Sequence, residues 1–224
     1  TGTYPCQMLL LNHAPNFRHF LHRQGIFHAP YWSCFDAIQE VEKKKTMTLS
    51  YRNLKWPEDT EFVYSQYAVI AMRNNKRFAK IEFAEDGNPI EIDMYKKGEL
   101  YRSNYYDDRG FISRTCIYSN EKPVYEEYLR PDGVWKLRVF LTDGHVEINP
   151  ECNTYLMGEN QRSKHIPFAR TYYENLGQVV CEVTENYIKQ TNLSDVFCVA
   201  VHKLHFKMLC DLLKNRKLIL SFFG

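Results

Sequence analysis

The residues whose types and spacing could carry chemistry are a set of histidines and one acidic pair. His13, His19, His22 and His28 crowd the start of the chain, and His19 and His22 are three positions apart. On a helix that spacing puts two imidazoles on one side, close enough to share a metal ion. No Asp, Glu or Cys completes a ligand set at a known spacing, so the pair reads as ordinary helix residues. His202 and His205 repeat the spacing and receive the same reading. Asp107-Asp108 could hold a divalent ion and a sugar nucleotide, but it runs directly into Arg109-Gly110. There, Asp side chains are used by the backbone of a turn. The sequence has no Gly-x-Gly-x-x-Gly, Walker loop, Gly-x-Ser-x-Gly or Cys/His nucleophile arrangement. No catalytic, cofactor-binding or metal-ligating residue is therefore expected within this chain.

The elements that would have to position such residues are clearest in the middle. Turn signals recur at Asn74-Asn75, Asp86-Gly87, Lys97-Gly98, Arg109-Gly110, Asn120-Glu121, Asp132-Gly133 and Asp143-Gly144, roughly 10 to 12 residues apart. Each suits a tight hairpin, because Asn and Gly tolerate positive φ. Between the turns the side chains alternate. Ile90, Ile92 and Met94 oppose Glu91, Asp93 and Tyr95; Trp135, Leu137, Val139 and Leu141 oppose Lys136 and Arg138. A period of two predicts strands, and residues 61–149 read as one antiparallel β-meander.

The flanks have other rhythms. Gln7 to Leu11 reads as a short strand, and Pro15 to Gln24 as a helix with Pro in its first turn and Gly25 after its end. Tyr172 to Gln190 reads as a helix. A strand at Val196 to Val201, a helix at His205 to Asn215 and a strand at Leu218 to Phe223 then form a βαβ unit of a parallel sheet. The expected fold class is α/β plus β, with an extended antiparallel β-meander inserted between parts of Rossmann-like domains. Residues 1–60 form the edge of the first, 61–150 the sheet domain, and 151–224 a linker and the start of the second. The chain reads as a piece of something longer.

Composition narrows the function. Net charge is +2, and Lys plus Arg against Asp plus Glu runs 7 to 5, 13 to 15 and 9 to 7 over residues 1–60, 61–150 and 151–224. No segment has the basic excess that nucleic-acid binding needs. Lys43-Lys44-Lys45 is a small basic patch that reads as a solvated loop, with an anionic lipid surface as the alternative. Seven cysteines without a Cys-x-x-Cys pair, three of them in apolar runs (Cys116, Cys181, Cys198), point to a reducing compartment, the cytoplasm. No apolar run is long enough to cross a membrane as a helix.

Sixteen Tyr and fourteen Phe are many for 224 residues. In Phe111 to Tyr118, Phe111 and Ile117 are expected on one side, with Ile112, Cys116 and Tyr118 on the other. With apolar residues on both sheet faces, one face can pack on a neighbouring domain. The other then presents Tyr101, Tyr105, Tyr106 or Tyr125 to a partner, with Trp135 as a further candidate anchor; the alternative is that both faces are covered within the intact protein.

Particular segments carry a resemblance. Asn12-His13-Ala14-Pro15-Asn16-Phe17-Arg18-His19-Phe20-Leu21-His22-Arg23 and Tyr31-Trp32-Ser33-Cys34-Phe35-Asp36-Ala37-Ile38-Gln39 resemble a signature of the glycosyltransferase-like component of the bacterial accessory Sec system. This is the first of three accessory secretory proteins that help export serine-rich repeat adhesins. Tyr105 to Ser113, Tyr125 to Leu129, Gly133 to Arg138 and Leu218 to Phe223 are similar as well. The resemblance implies a glycosyltransferase-B (GT-B) architecture, two Rossmann-like domains with an inserted β-sheet domain, that has lost transferase activity. It also implies partners: the other accessory secretory proteins, the accessory SecA motor ATPase and the adhesin, met at or near the inner face of the cell membrane. The alternatives are an active retaining glycosyltransferase acting on a serine-rich adhesin or wall teichoic acid, and a β-sheet interaction module with no part in secretion.

Overall fold

The structure, a computed structural model, describes residues 6–42, 45–152, 168–200 and 204–222. Expectations that fall on Lys43, Lys44, Val201, His202, Phe223 and Gly224 lie outside the described residues.

The chain opens with β1 (Met8–Leu10), α1 (Phe17–Arg23), β2 (Tyr31–Ser33) and α2 (Cys34–Ile38), with β1 and β2 paired in parallel. The Ser33 hydroxyl caps α2 by accepting from the Asp36 amide at 3.2 Å. A strap with a single 3-10 turn at Tyr51–Asn53 leads into the sheet.

Ten strands follow one another without a crossover: β3 (Glu61–Tyr64), β4 (Ala68–Arg73), β5 (Lys76–Phe83), β6 (Pro89–Lys96), β7 (Glu99–Asp107), β8 (Phe111–Ser119), β9 (Lys122–Leu129), β10 (Trp135–Phe140), β11 (Val146–Ile148) and β12 (Tyr172–Tyr173). The hairpins fall at the expected positions. Asn74, Asn75, Asn120 and Glu121 all have positive φ, so two turns reach the left-handed region without glycine. The last strand was not legible: the expected helix from Tyr172 begins only at Leu176, because Tyr172 and Tyr173 pair with Glu147 and Val146.

Cross-strand register shows which side chains share a face, since residues directly opposite point the same way. One row runs Glu91, Tyr105, Arg114, Tyr128, Leu137. The neighbouring row, Ile92, Asn104, Thr115, Glu127, Arg138, lies on the other face. Two cores therefore form on opposite faces, at opposite ends of the sheet. Tyr128, Leu137, Val139, Val146 and Ile148 pack against α2 and the following helix, together with Cys34, Phe35 and Ile38. Val69, Ala71, Ala79, Ile81, Ile92 and Tyr106 pack beneath the strap, whose Leu49, Tyr51, Leu54 and Trp56 cover them. Each fully buried Val, Leu or Ile among them contributes about 1.5–3 kcal/mol relative to exposure.

Two bulges correct the expected alternation. The register shift between β9 and β10 takes Lys136 out of the pairing, so Trp135 sits with Arg138 and not with Leu137 and Val139. A second shift, between β7 and β8, leaves Ser113 as the extra residue. Ile112 consequently joins Tyr106 in the strap-covered core, on the face of Ile117, not that of Cys116.

Beyond the meander come α3 (Leu176–Gln190), β13 (Val196–Ala200), α4 (Phe206–Leu212) and β14 (Lys217–Ser221). The strands β13 and β14 pair in parallel, the expected βαβ arrangement. The helix α3 belongs to two cores: Val179, Val180 and Val183 to the one with α2, Ile188 to a third with Val199 and Leu213. Among the described residues no helix is long and apolar enough to cross a membrane.

Candidate functional site

The polar residues that looked chemically interesting in the sequence meet at one place, the seam where the β1–α2 unit rests on the β7–β8 hairpin. Arg109 fills it. Its guanidinium donates to both oxygens of Asp36 at 2.8 Å and to both oxygens of Asp107 at 2.6 and 2.7 Å. The Asp107 carboxylate also accepts the Arg109 amide at 2.9 Å, which is the turn role expected for an Asp before Arg-Gly. Burial alone would lower the Arg109 pKa, but the two carboxylates outweigh it and hold the group charged.

Asp108 ties three segments together. Its carboxylate accepts the His19 amide at 2.9 Å, its own amide donates to the Pro15 carbonyl, and its carbonyl accepts the Met47 amide, each at 3.0 Å. Burial, with Asp107 alongside, pushes its carboxyl up to about 6. Gln39, almost fully buried, uses both amide hydrogens on the sheet backbone, donating to the carbonyls of Ser113 at 2.7 Å and Leu129 at 2.6 Å. His13 lies 2.7 Å from the Ser113 hydroxyl and packs edge-on to Tyr128. Burial, with Arg114 and Arg109 nearby, lowers it to about 3, so the ring is neutral. Glu40 closes the seam by pairing with the buried Lys136 and with Arg130.

Most of these groups spend their hydrogen bonds on one another, while Asp108 Oδ1 is buried without a hydrogen-bond partner. The arrangement welds two parts of the fold. The other histidines are scattered: His19 faces Asp86 at 3.3 Å, His22 stacks on Phe27 while His28 meets that ring at a tilt, and His205 meets Asn12 at 2.8 Å. Among the described residues no three His, Cys, Asp or Glu converge as a metal site.

The aromatic candidates do not form one face. Tyr106 is buried in the strap-covered core. Tyr105 lies on the Leu137 face, half-buried, with the Arg114 guanidinium 4.0 Å from its ring centroid. Tyr101 is 37% exposed. Tyr125 and Trp135 are together on the opposite face, on either side of Arg138, whose guanidinium lies 4.7 and 4.6 Å from their ring centroids. Glu127 accepts from the same guanidinium at 2.6 Å. The row continues through Phe140, which stacks on His145 at 4.2 Å, and His145 in turn stacks on Tyr172. Sequence reasoning missed Phe140, His145, Tyr172 and Arg138; for Tyr172 the missed signal was Asn175, whose side chain caps α3 and leaves the tyrosines outside the helix.

Residues 2–224 match the sequence profile of accessory Sec system protein 1. The chain belongs to this family. The accessory Sec system protein of Streptococcus gordonii is 33% identical over 223 residues, which is 98% of this chain and 40% of that protein. A crystal structure of accessory secretory proteins 1, 2 and 3 from Streptococcus pneumoniae contains a chain that superposes with a TM-score of 0.87 at 31% identity, covering 97% of this chain and 42% of that one. The present chain thus spans less than half the length of these accessory Sec relatives. The GtfA/B complex bound to UDP and GlcNAc shares the fold, with a TM-score of 0.64 at 13% identity over 97% of this chain and 49% of that one. The architecture is glycosyltransferase-like. In this accessory Sec protein, the segments quoted for the resemblance, 12–23, 31–39 and 105–113, supply the two sides of the weld around Arg109.

Proposed function

We propose that this chain is part of a non-catalytic, GT-B-like component of the accessory Sec export system, and that its meander holds partner proteins. The partners are the other accessory secretory proteins, the accessory SecA motor ATPase and a glycosylated serine-rich repeat adhesin as cargo. The observation that carries the reading is the Trp135–Arg138–Tyr125–Phe140–His145–Tyr172 row. It is a run of large rings around one cation on the sheet face turned away from α2 and α3. Aromatic and Arg residues of this kind are the usual anchors of protein interfaces. The weld supports the same reading, because it fixes the platform on the β1–α2 unit through buried ion pairs and hydrogen bonds.

In this account residues 1–60 are the edge of a first Rossmann-like domain, 61–150 the inserted sheet and 151–224 the opening of a second. The exposed apolar side chains of Val196 and Ile219 on the parallel pair, and of Phe222 just after it, fit a sheet that the longer polypeptide completes. The protein would act in the cytoplasm. A peripheral contact with the inner membrane face is favoured by Phe20, Ile26 and Phe27, which are exposed beside His22, Arg23 and His28. Flotation with anionic vesicles tests it: binding lost in Phe20→Ala/Phe27→Ala supports the contact, and no flotation refutes it.

The second reading, an active retaining glycosyltransferase acting on an adhesin or wall teichoic acid, is favoured by the likeness in fold to the complex bound to UDP and GlcNAc. Hydrolysis of sugar nucleotides by the full-length protein would establish it and end the first reading. Capture of the other accessory secretory proteins by the full-length protein, without hydrolysis, is the outcome the first reading requires.

A further inference from the structure

The meander has two ends, and they are treated differently. At one end β12 has only two residues, and α3 begins after a two-residue link with its side chains packed into the adjoining core. At the other end is β3. Among the described residues nothing pairs with its outer side. It pairs with β4 in unbroken register, so no bulge twists it away. Neither Lys nor Pro lies within Glu61-Phe62-Val63-Tyr64, so the guards of this edge strand are its shortness and the single charge of Glu61. Apolar surface gathers there: Val63 is 53% exposed, Tyr64 59% and Tyr67 81%. Tyr64 is held in place through its hydroxyl, 2.6 Å from that of Tyr51 and bonded to Arg52.

We propose that the outer edge of β3 pairs antiparallel with the same edge of a second copy, forming a two-fold dimer with a continuous twenty-stranded sheet from two sets of ten. The sequence of the strand makes the choice of occupant. An antiparallel two-fold axis perpendicular to the sheet keeps each side chain on its own face, so positions pair in steps of two. With Val63 on the axis, Phe62 of each copy stands opposite Tyr64 of the other, and Glu61 opposite Ser65. The aromatic pairs fall on the face already lined by Tyr51 and Trp56, which pack on Phe62. No like charges oppose one another. A strand carrying several charges would not match this short apolar edge as well.

The test is the mass of the purified full-length protein by sedimentation equilibrium over about 1–100 μM, a range in which edge pairing between small interfaces is measurable. Wild type should pass from monomer to dimer. Val63→Lys and Val63→Asp each place like charges across the axis and should raise the dissociation constant at least about tenfold. Both should melt within about 2 °C of wild type, since the position is half exposed. Mixing the two variants should restore the dimer as a heterodimer, a result that mere unfolding could not give. A wild type that stays monomeric throughout overturns the proposal, even if the edge captures another accessory secretory protein. So does a dimer whose dissociation constant Val63→Lys leaves unchanged.

Discussion

Arg109 and Asp36, separated by 73 residues in sequence, form a two-pronged ion pair with both nitrogen–oxygen distances at 2.8 Å. The pair joins the β1–α2 unit to the sheet, and Asp107, almost wholly buried, depends on the same guanidinium. Arg109→Met should therefore strand a buried carboxylate. The expected cost is about 3–5 kcal/mol. Asp36→Asn should cost less, because Asp107 still holds the arginine. Thermal denaturation of the two variants checks the order; equal losses would mean that Asp107 has no need of Arg109.

Acid stability depends on two groups of opposite sign. His13 has its folded pKa lowered to about 3 from an ordinary value of 6.5, so its contribution is complete above about pH 6.5 and is lost as pH falls toward 3. Asp108 has its folded pKa raised to about 6 from 3.8, so its burial costs stability at neutral pH, and that cost shrinks as pH falls from about 6 to 4. Each group alone changes stability by at most about 1.4 kcal/mol per pH unit. Denaturant unfolding between pH 7 and 4 should show His13→Asn with a weaker acid loss than wild type. Asp108→Asn should show a stronger one. Parallel curves for all three proteins would contradict the assignment.

Gly110 has φ near +85°, and a Cβ built on it would lie 2.4 Å from Met47 Cε and 3.3 Å from Met47 Cβ. Gly133 has φ near +87° with nothing within 4 Å of its Cβ position. Ala at Gly133 should carry the backbone cost alone, about 1 kcal/mol. Ala at Gly110 should cost more, because the strap residue Met47 must also move. The difference between the two melting shifts measures how tightly the strap is seated; no difference would mean that Met47 yields freely.

How much of this was legible in the sequence depends on distance along the chain. The hairpins at Asn74-Asn75 and Asn120-Glu121 were readable because a positive-φ turn is specified by the residues in it. The βαβ pair of β13 and β14 was readable from its continuous apolar runs. The facing of Trp135 was not, because the bulge at Lys136 goes with that lysine's pairing to Glu40, 96 residues away in sequence. The weld was invisible for the same reason. Asp107 was correctly read as a turn residue, yet nothing within its own segment announces Asp36 as a second partner of Arg109. Tyr106 and Tyr105 are neighbours in sequence with alike side chains, and only the strap over one face buries Tyr106.

Tyr106→Ala should for that reason act on stability, with a loss of about 3–5 kcal/mol read by denaturant unfolding. A melting temperature equal to that of wild type would remove Tyr106 from the strap-covered core.

The claim that the meander is a binding platform is tested most directly by titrating full-length Trp135→Ala and Tyr125→Ala into the other accessory secretory proteins and measuring affinity by calorimetry. The account predicts affinities weaker by at least about tenfold, roughly 1.4 kcal/mol or more for an interface anchor, with folding intact by circular dichroism. Unchanged affinity in both variants would contradict it.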